Sequence, residues 1–214
     1  MASSRKCKEL LADLLINWYM KKGRTFPWRK TRDSYRILIA EIMLQRTRAN
    51  QVVPVYLSFL KEFPDVYTLD KASIEEIMKY FSKLGLKHRA KRIKTLTKDL
   101  IEKFDGRIPD KREDLLKLPS IGEYISDALL CFSFEKNVGV LDSNVCRIIG
   151  RIFSLKSKGE ARRDIQFRQL IDELVPSNQA KEFNWALIDL GALICKPRNP
   201  LCNQCPVYSL CTYR

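Results

Sequence analysis

The chain has 214 residues, 45% of them hydrophobic and 30% charged, a composition that buries a core and argues against a disordered polymer. No apolar run approaches the roughly 18 residues needed to span a bilayer. The N-terminal Met-Ala-Ser-Ser-Arg-Lys-Cys-Lys has no apolar stretch behind its charges, so an intracellular protein is expected, neither secreted nor inserted in a membrane. Lys and Arg number 39 against 25 Asp and Glu, a net charge of +14. Spread through folded-looking segments, that charge favours a polyanion such as nucleic acid, although an anionic lipid surface answers the same field.

In chain order, Leu10, Leu11, Leu14, Leu15 and Trp18 recur at helical spacing and predict a first amphipathic helix. Ile37-Leu-Ile-Ala-Glu-Ile-Met-Leu44 predicts a second, with Glu41 a lone carboxylate on the face of Ile37 and Leu44. Pointed into an interior or a pocket, Glu41 suits a proton donor or hydrogen-bonding group, because burial disfavours its charged form; an arginine partner is the plainer alternative. The only histidine, His88, lies in Lys87-His-Arg-Ala-Lys-Arg92. A serine–histidine or histidine–metal site is therefore poorly supported, and the segment reads as a basic, DNA-facing helix end or a solvated one.

Helical stretches over about 111–118 and 123–134 flank Leu118-Pro119-Ser120-Ile121-Gly122. This turn resembles the Leu-Pro-Gly-Val-Gly of a helix-hairpin-helix, with Ser120 at the place of the first glycine. Such a turn offers backbone N–H groups at a helix N-terminus to a DNA phosphate without reading sequence. If the Ser120 position needs a positive φ, serine introduces strain. Val138-Gly-Val-Leu141 reads as an extended linker, and Asp142 after it is either the N-cap of the next helix, with Val145 and Ile148 on its first turns, or a catalytic carboxylate, or both. Val140-Leu-Asp-Ser-Asn-Val145 is similar to the segment that carries the essential aspartate in helix-hairpin-helix glycosylases, and the resemblance implies a fixed carboxylate that stabilises the positive charge building on the sugar as the glycosidic bond breaks. Phe183, Leu187, Leu190 and Ile194 form a last helical stripe. Pro27, Pro64, Pro109, Pro119 and Pro176 fall at plausible boundaries, repeats are absent, and the fold class is all-α.

Four of the seven cysteines, Cys195-x6-Cys202-x2-Cys205-x5-Cys211, stand within 17 residues. Such clustering in an intracellular chain argues for metal rather than disulfides. Zinc is the rival, but the spacing is unlike that of paired zinc fingers. It resembles the loop of endonuclease III and its relatives, where four thiolates hold a 4Fe–4S cluster. The expected role is a structural staple, with Lys196 and Arg198 placed to meet phosphates. Cys7, Cys131 and Cys146 read as small buried hydrophobes.

Together these motifs resemble the endonuclease III superfamily over nearly the whole chain, and Phe26-Pro-Trp-Arg29 is similar to a feature of its MutY-like and G·T mismatch branches. The resemblance implies two helical lobes: a six-helix barrel over residues 22–134, and a cluster lobe from residues 1–21 and 135–214. It implies double-stranded DNA with a mismatched or damaged base as partner, bound between the lobes by a monomer, with the target base flipped out. Asp142, Glu41 and Tyr124 would be catalytic, and Gln45, Arg46, Leu86, Ser120 and Gly122 would contact DNA. Bifunctional members carry a Schiff-base lysine where Tyr124 stands here, so a glycosylase without lyase activity is expected. Tyr124, Leu86 and Arg46 together resemble the G·T and G·U mismatch branch, in which Leu86 and Arg46 would fill the emptied duplex and Arg46 would probe the orphan guanine. An adenine glycosylase lacking the usual C-terminal domain and a non-catalytic DNA-binding homologue are the alternatives.

Overall fold

The computed structural model describes residues 2–213. Among these residues the regular structure is helical throughout: α1 (Ala2–Lys22), α2 (Ser34–Leu44), α3 (Ala49–Glu62), α4 (Val66–Lys71), α5 (Ile74–Phe81), α6 (Arg89–Phe104), α7 (Arg112–Lys117), α8 (Glu123–Phe132), α9 (Ser143–Phe153), α10 (Ile165–Leu174) and α11 (Ala180–Leu193), with a few single 3-10 turns. The all-α expectation holds. The chain forms two compact units: one joins the residues up to Thr25 with those from Glu135 onward, the other is Phe26–Phe134. Helix α1 thus belongs with α9–α11, and α2–α8 stand together. No helix among the described residues is long and apolar enough to cross a membrane.

In the first unit, Leu11 and Leu15 of α1 are buried with Ile148 and Ile149 of α9, Phe167 and Ile171 of α10, and Phe183, Leu187 and Leu190 of α11. Leu14 and Trp18 pack partly buried against this core. Leu10 departs from the expected stripe and is 46% exposed. Successive helix positions point about 100° apart, and Leu11 takes the inward direction. Past the end of α1, the Arg24 side chain grips the fully buried Asp189 of α11 (Nε to Oδ1, 2.8 Å), and the Arg24 backbone N–H donates to Oδ2 at 2.6 Å. A buried carboxylate needs such donors, since an unpaired charge in the interior is strongly disfavoured.

In the second unit, α2 is buried on nearly every side, from Tyr35 to Met43. Phe59 of α3 meets Phe63, Tyr80 and Phe81 at ring-centroid distances of 4.9, 5.4 and 5.8 Å. Helix starts are set by local chemistry: Asp33 caps α2, Asp65 caps α4, and Ser73 with Glu76 forms a reciprocal capping box on α5. The five prolines expected at boundaries lie outside the α-helices, whereas Pro54 lies inside α3. Leu15→Ala should lower stability by about 2–5 kcal/mol, read from the denaturant midpoint. Leu10→Ala, one turn away and exposed, should change it by less than about 0.5 kcal/mol.

Candidate active site and metal centre

The hairpin turn is anchored by two buried side chains, Leu118 and Ile121, with the Ile121 N–H donating to the Leu118 carbonyl at 3.3 Å. Between them Ser120 has φ +69°, the left-handed region, so the position does demand the conformation that glycine adopts freely and serine adopts under strain. Gly122 has ordinary extended backbone (φ −102°, ψ −177°) and begins α8 without a side-chain cap. A Cβ built on Gly122 would meet nothing within 4 Å. Neither local conformation nor internal packing requires glycine there, which leaves the uncapped start of α8 open to an external acceptor. Arg112 of α7 pairs with the fully buried Asp127 of α8 and holds the two helices of the hairpin together. Tyr124, on the first turn of α8, is partly buried.

Glu41 is 4% exposed within the apolar α2, as its setting in the sequence predicts. The chain leaves α2 through Gln45 and then Arg46, which is exposed and has φ +63°. Arg89 donates from Nη1 to the Ile42 carbonyl near the end of α2 at 2.7 Å. Burial first, then the charges of Arg92 and Arg46, hold the Arg89 pKa below its ordinary value, so three guanidinium groups reinforce one another in this region. Leu86 differs from expectation. Its side chain is 5% exposed, and its N–H donates to the Phe81 carbonyl at 2.8 Å behind a left-handed Gly85. In this conformation Leu86 belongs to the core and does not project.

Asp142 lies in the first unit. The segment leading to it has no strand partner and is pinned instead by side chains. Asn184 of α11, fully buried, accepts from the Val140 N–H at 2.8 Å and donates to the Val138 carbonyl at 3.0 Å, while Asp172 and Arg168 bond the two sides of Gly139. Asp142 is the N-cap of α9, its Oδ1 accepting from the Val145 N–H at 2.7 Å. Its Oδ2 accepts from Asn144 Nδ2 at 2.9 Å. Asn144 in turn accepts from Arg147 Nη1 at 2.9 Å, and Arg147 donates through Nε and Nη2 to the Cys195 carbonyl at 3.0 and 2.8 Å. The capping and catalytic readings of Asp142 are thus compatible, since the cap uses one oxygen and fixes the direction of the other. Asn144 and Arg147 escaped the sequence reading; the signal was their i+2 and i+5 spacing from Asp142 on a helix carrying an apolar face opposite.

Cys195, Cys202, Cys205 and Cys211 line one pocket with Ile194, Pro200, Tyr208, Arg151 and Tyr213. All four are free thiols of intermediate exposure. Among the described residues no three His, Cys, Asp or Glu side chains are grouped tightly enough for a single metal ion. An all-thiol pocket suits a four-iron cube held by four thiolates. Of the remaining cysteines, Cys131 and Cys146 are buried, and burial pushes the Cys146 thiol up to about 11. Cys7 is exposed, contrary to expectation; it stands one turn before Leu11 on the same side of α1, ahead of the point where the buried cluster begins.

Residues 39–176 match the model of the HhH-GPD superfamily of base excision DNA repair proteins, and residues 195–211 match the iron–sulfur binding domain of endonuclease III. The chain belongs to the HhH-GPD superfamily, is a DNA glycosylase, and takes a 4Fe–4S cluster. It is 35% identical over 213 residues to a thymine/uracil-DNA glycosylase of Methanothermobacter thermautotrophicus, covering 99% of this chain and 96% of that one. It is 37% identical over 198 residues to an adenine DNA glycosylase of Buchnera aphidicola, but spans only 56% of that protein. The solved structure of a thermostable thymine-DNA glycosylase superposes with a TM-score of 0.91 at 33% identity, covering 99% of this chain and 98% of that one. A non-covalent endonuclease III–DNA complex, at 20% identity and TM-score 0.83 over 98% and 95% of the two chains, shares the fold.

Ser120→Gly should relieve the left-handed strain. The cost of that conformation is about 1–2 kcal/mol for a non-glycine residue, offset by about 0.5–1 kcal/mol of extra glycine entropy. A net stabilisation below about 1 kcal/mol is expected in thermal unfolding; a destabilised variant would mean that the serine side chain earns its place.

Proposed function

We propose that the protein is a monofunctional glycosylase that removes thymine or uracil opposite guanine from double-stranded DNA, acting as a monomer. The observation that carries this reading is Tyr124 at the head of α8, two residues after Gly122. A phenol cannot form the Schiff base by which an amine opens the sugar, so hydrolysis to an abasic site is the whole reaction. The near end-to-end match to thymine and uracil glycosylases supports the choice of base.

In this reading Asp142 stabilises the positive charge that develops on the sugar as the glycosidic bond breaks, or aligns the attacking water. Water adds hydroxide to the sugar carbon, and the departing base takes up a proton. Hydrogen bonds from Val145 and Asn144 hold the carboxylate in one orientation, which avoids reorganisation during the reaction. Glu41 and Tyr124 contact the extruded pyrimidine, Tyr124 by stacking or through its hydroxyl. Ser120 and Gly122 receive a phosphate on backbone N–H groups. Gln45 and Arg46 meet the duplex, with the Arg46 guanidinium directed at the acceptors of the orphan guanine. Leu86 would join them only by leaving its buried position. Cys195, Cys202, Cys205 and Cys211 are the ligands of the 4Fe–4S cluster, which folds the C-terminal segment into place.

The test is incubation with duplexes carrying G·T, G·U or A·8-oxoguanine, scored for strand breaks with and without alkali. Breaks on G·T and G·U that need alkali are expected. Breaks without alkali would sink the monofunctional assignment, and excision of adenine would replace the pyrimidine one. Asp142→Asn, which keeps a capping oxygen, should slow excision by about 10²–10³-fold or more with little loss of stability; an active variant would remove Asp142 from the chemistry.

A further inference from the structure

Arg151 of α9 makes a set of contacts that the proposed reaction does not use. Its Nη1 donates to Sγ of Cys195 at 3.4 Å and to the Lys196 carbonyl at 2.7 Å, and its Nη2 donates to the Pro197 carbonyl at 2.9 Å. The guanidinium lies 4.3 Å from the centroid of the Tyr213 ring. The backbone carbonyl of the same residue is 3.6 Å from Sγ of Cys211 and accepts from the Thr212 hydroxyl at 2.9 Å. One residue therefore touches both the first and the last cysteine of the set, and it brings a full positive charge to the sulfur of the first.

We propose that Arg151 is a tuning residue for the cluster, its guanidinium bonded to the Cys195 sulfur raising the cluster's reduction potential and protecting it from oxidative loss. A cluster that gains an electron becomes more negative, and part of that charge resides on the thiolate sulfurs. An N–H donor and a cation at one of those sulfurs stabilise the more negative state, so the potential rises and oxidation is disfavoured. The two backbone carbonyls and the tyrosine ring set the direction of the guanidinium, so the donor is fixed before a cluster is present. Arg147, one turn earlier, donates to the Cys195 carbonyl rather than to the sulfur, and a structural strap alone would need nothing more than such carbonyl bonds. The Sγ contact distinguishes Arg151.

The inference rests on the four-cysteine assignment, which iron and sulfide analysis of the purified protein and its visible absorbance test separately. The decisive measurement is the reduction potential of the DNA-free protein on an electrode for wild type, Arg151→Gln, Arg151→Met and Arg151→Lys. Both neutral variants should lie below wild type, and ferricyanide should bleach them faster. Arg151→Lys, which keeps the charge but cannot span the sulfur and both carbonyls, should also lie below wild type by a smaller shift. A wild-type potential in cluster-loaded Arg151→Gln or Arg151→Met would overturn the proposal. If the neutral variants fail to hold a cluster, a wild-type potential in loaded Arg151→Lys would overturn the role of the N–H···S bond.

Discussion

The guanidinium of Arg147 makes four hydrogen bonds to three acceptors of the first unit: two to the Cys195 carbonyl, one to the Gly191 carbonyl, and one to the side chain of Asn144. Hydrogen bonds to a charged group contribute about 1.5–3 kcal/mol where neutral ones give about 1, and the planar fork of arginine suits several fixed acceptors better than a lysine ammonium. The end of α11, the first cysteine of the cluster segment and the first turn of α9 are therefore tied to one rigid cation. The approach is close enough that α11 tolerates only glycine at the contact: a Cβ on Gly191 would stand 2.9 Å from the Cβ of Asn144 and 3.5 Å from Arg147 Nη2. Asn144 passes the constraint to Asp142. The direction of that carboxylate is thus set both by its cap on the first turn of α9 and by the packing of α9 on α11.

Strain is distributed with the same economy. Asp105 and Ser154 have positive φ as caps at the ends of α6 and α9, where such residues commonly stop a helix. Ser120 and Arg46 have it inside the two turns proposed to contact DNA. A left-handed residue redirects the chain sharply, and the buried neighbours on either side hold it there: Leu118 and Ile121 around Ser120, the packed α2 before Arg46. Observed outliers of this kind concentrate where a backbone must present groups outward.

The features legible in the sequence were those that repeat locally. Helical periodicity marked the all-α class, the cysteine spacing marked the cluster segment, and a few consecutive residues marked the turn at Leu118–Gly122 and the helix N-cap at Asp142. What was missed depends on partners far along the chain. Asn184 pins Val138 and Val140 from 46 and 44 residues away, and Arg147 reaches Cys195 across 48. Periodicity says that a face is apolar without saying how wide the covering surface is, so Leu10 was grouped with Leu11 although only Leu11 turns inward. Cys7 has the inward direction of Leu11 but stands a turn before the buried cluster begins. Leu86 was placed by resemblance to a surface role, whereas the left-handed Gly85 turns its side chain into the packing of the second unit.

Net charge also means something more specific than a count. Several cations are consumed internally: Arg24 on Asp189, Arg112 on Asp127, Arg147 on backbone carbonyls and Asn144, and Arg151 on the cluster loop. These stabilise the fold and contribute little to attracting DNA at close range. Arg46, Arg89 and Arg92 are the contrasting case: burial first, and then the charges of Arg92 and Arg46, lower the Arg89 pKa. Like charges held together on a folded surface destabilise the free protein and favour any state in which an anion lies among them. DNA phosphates supply that anion, and the release of their counterions adds an entropic gain. In the proposed DNA-binding role, an anion placed among these arginines would relieve their repulsion beside the turn that carries Arg46.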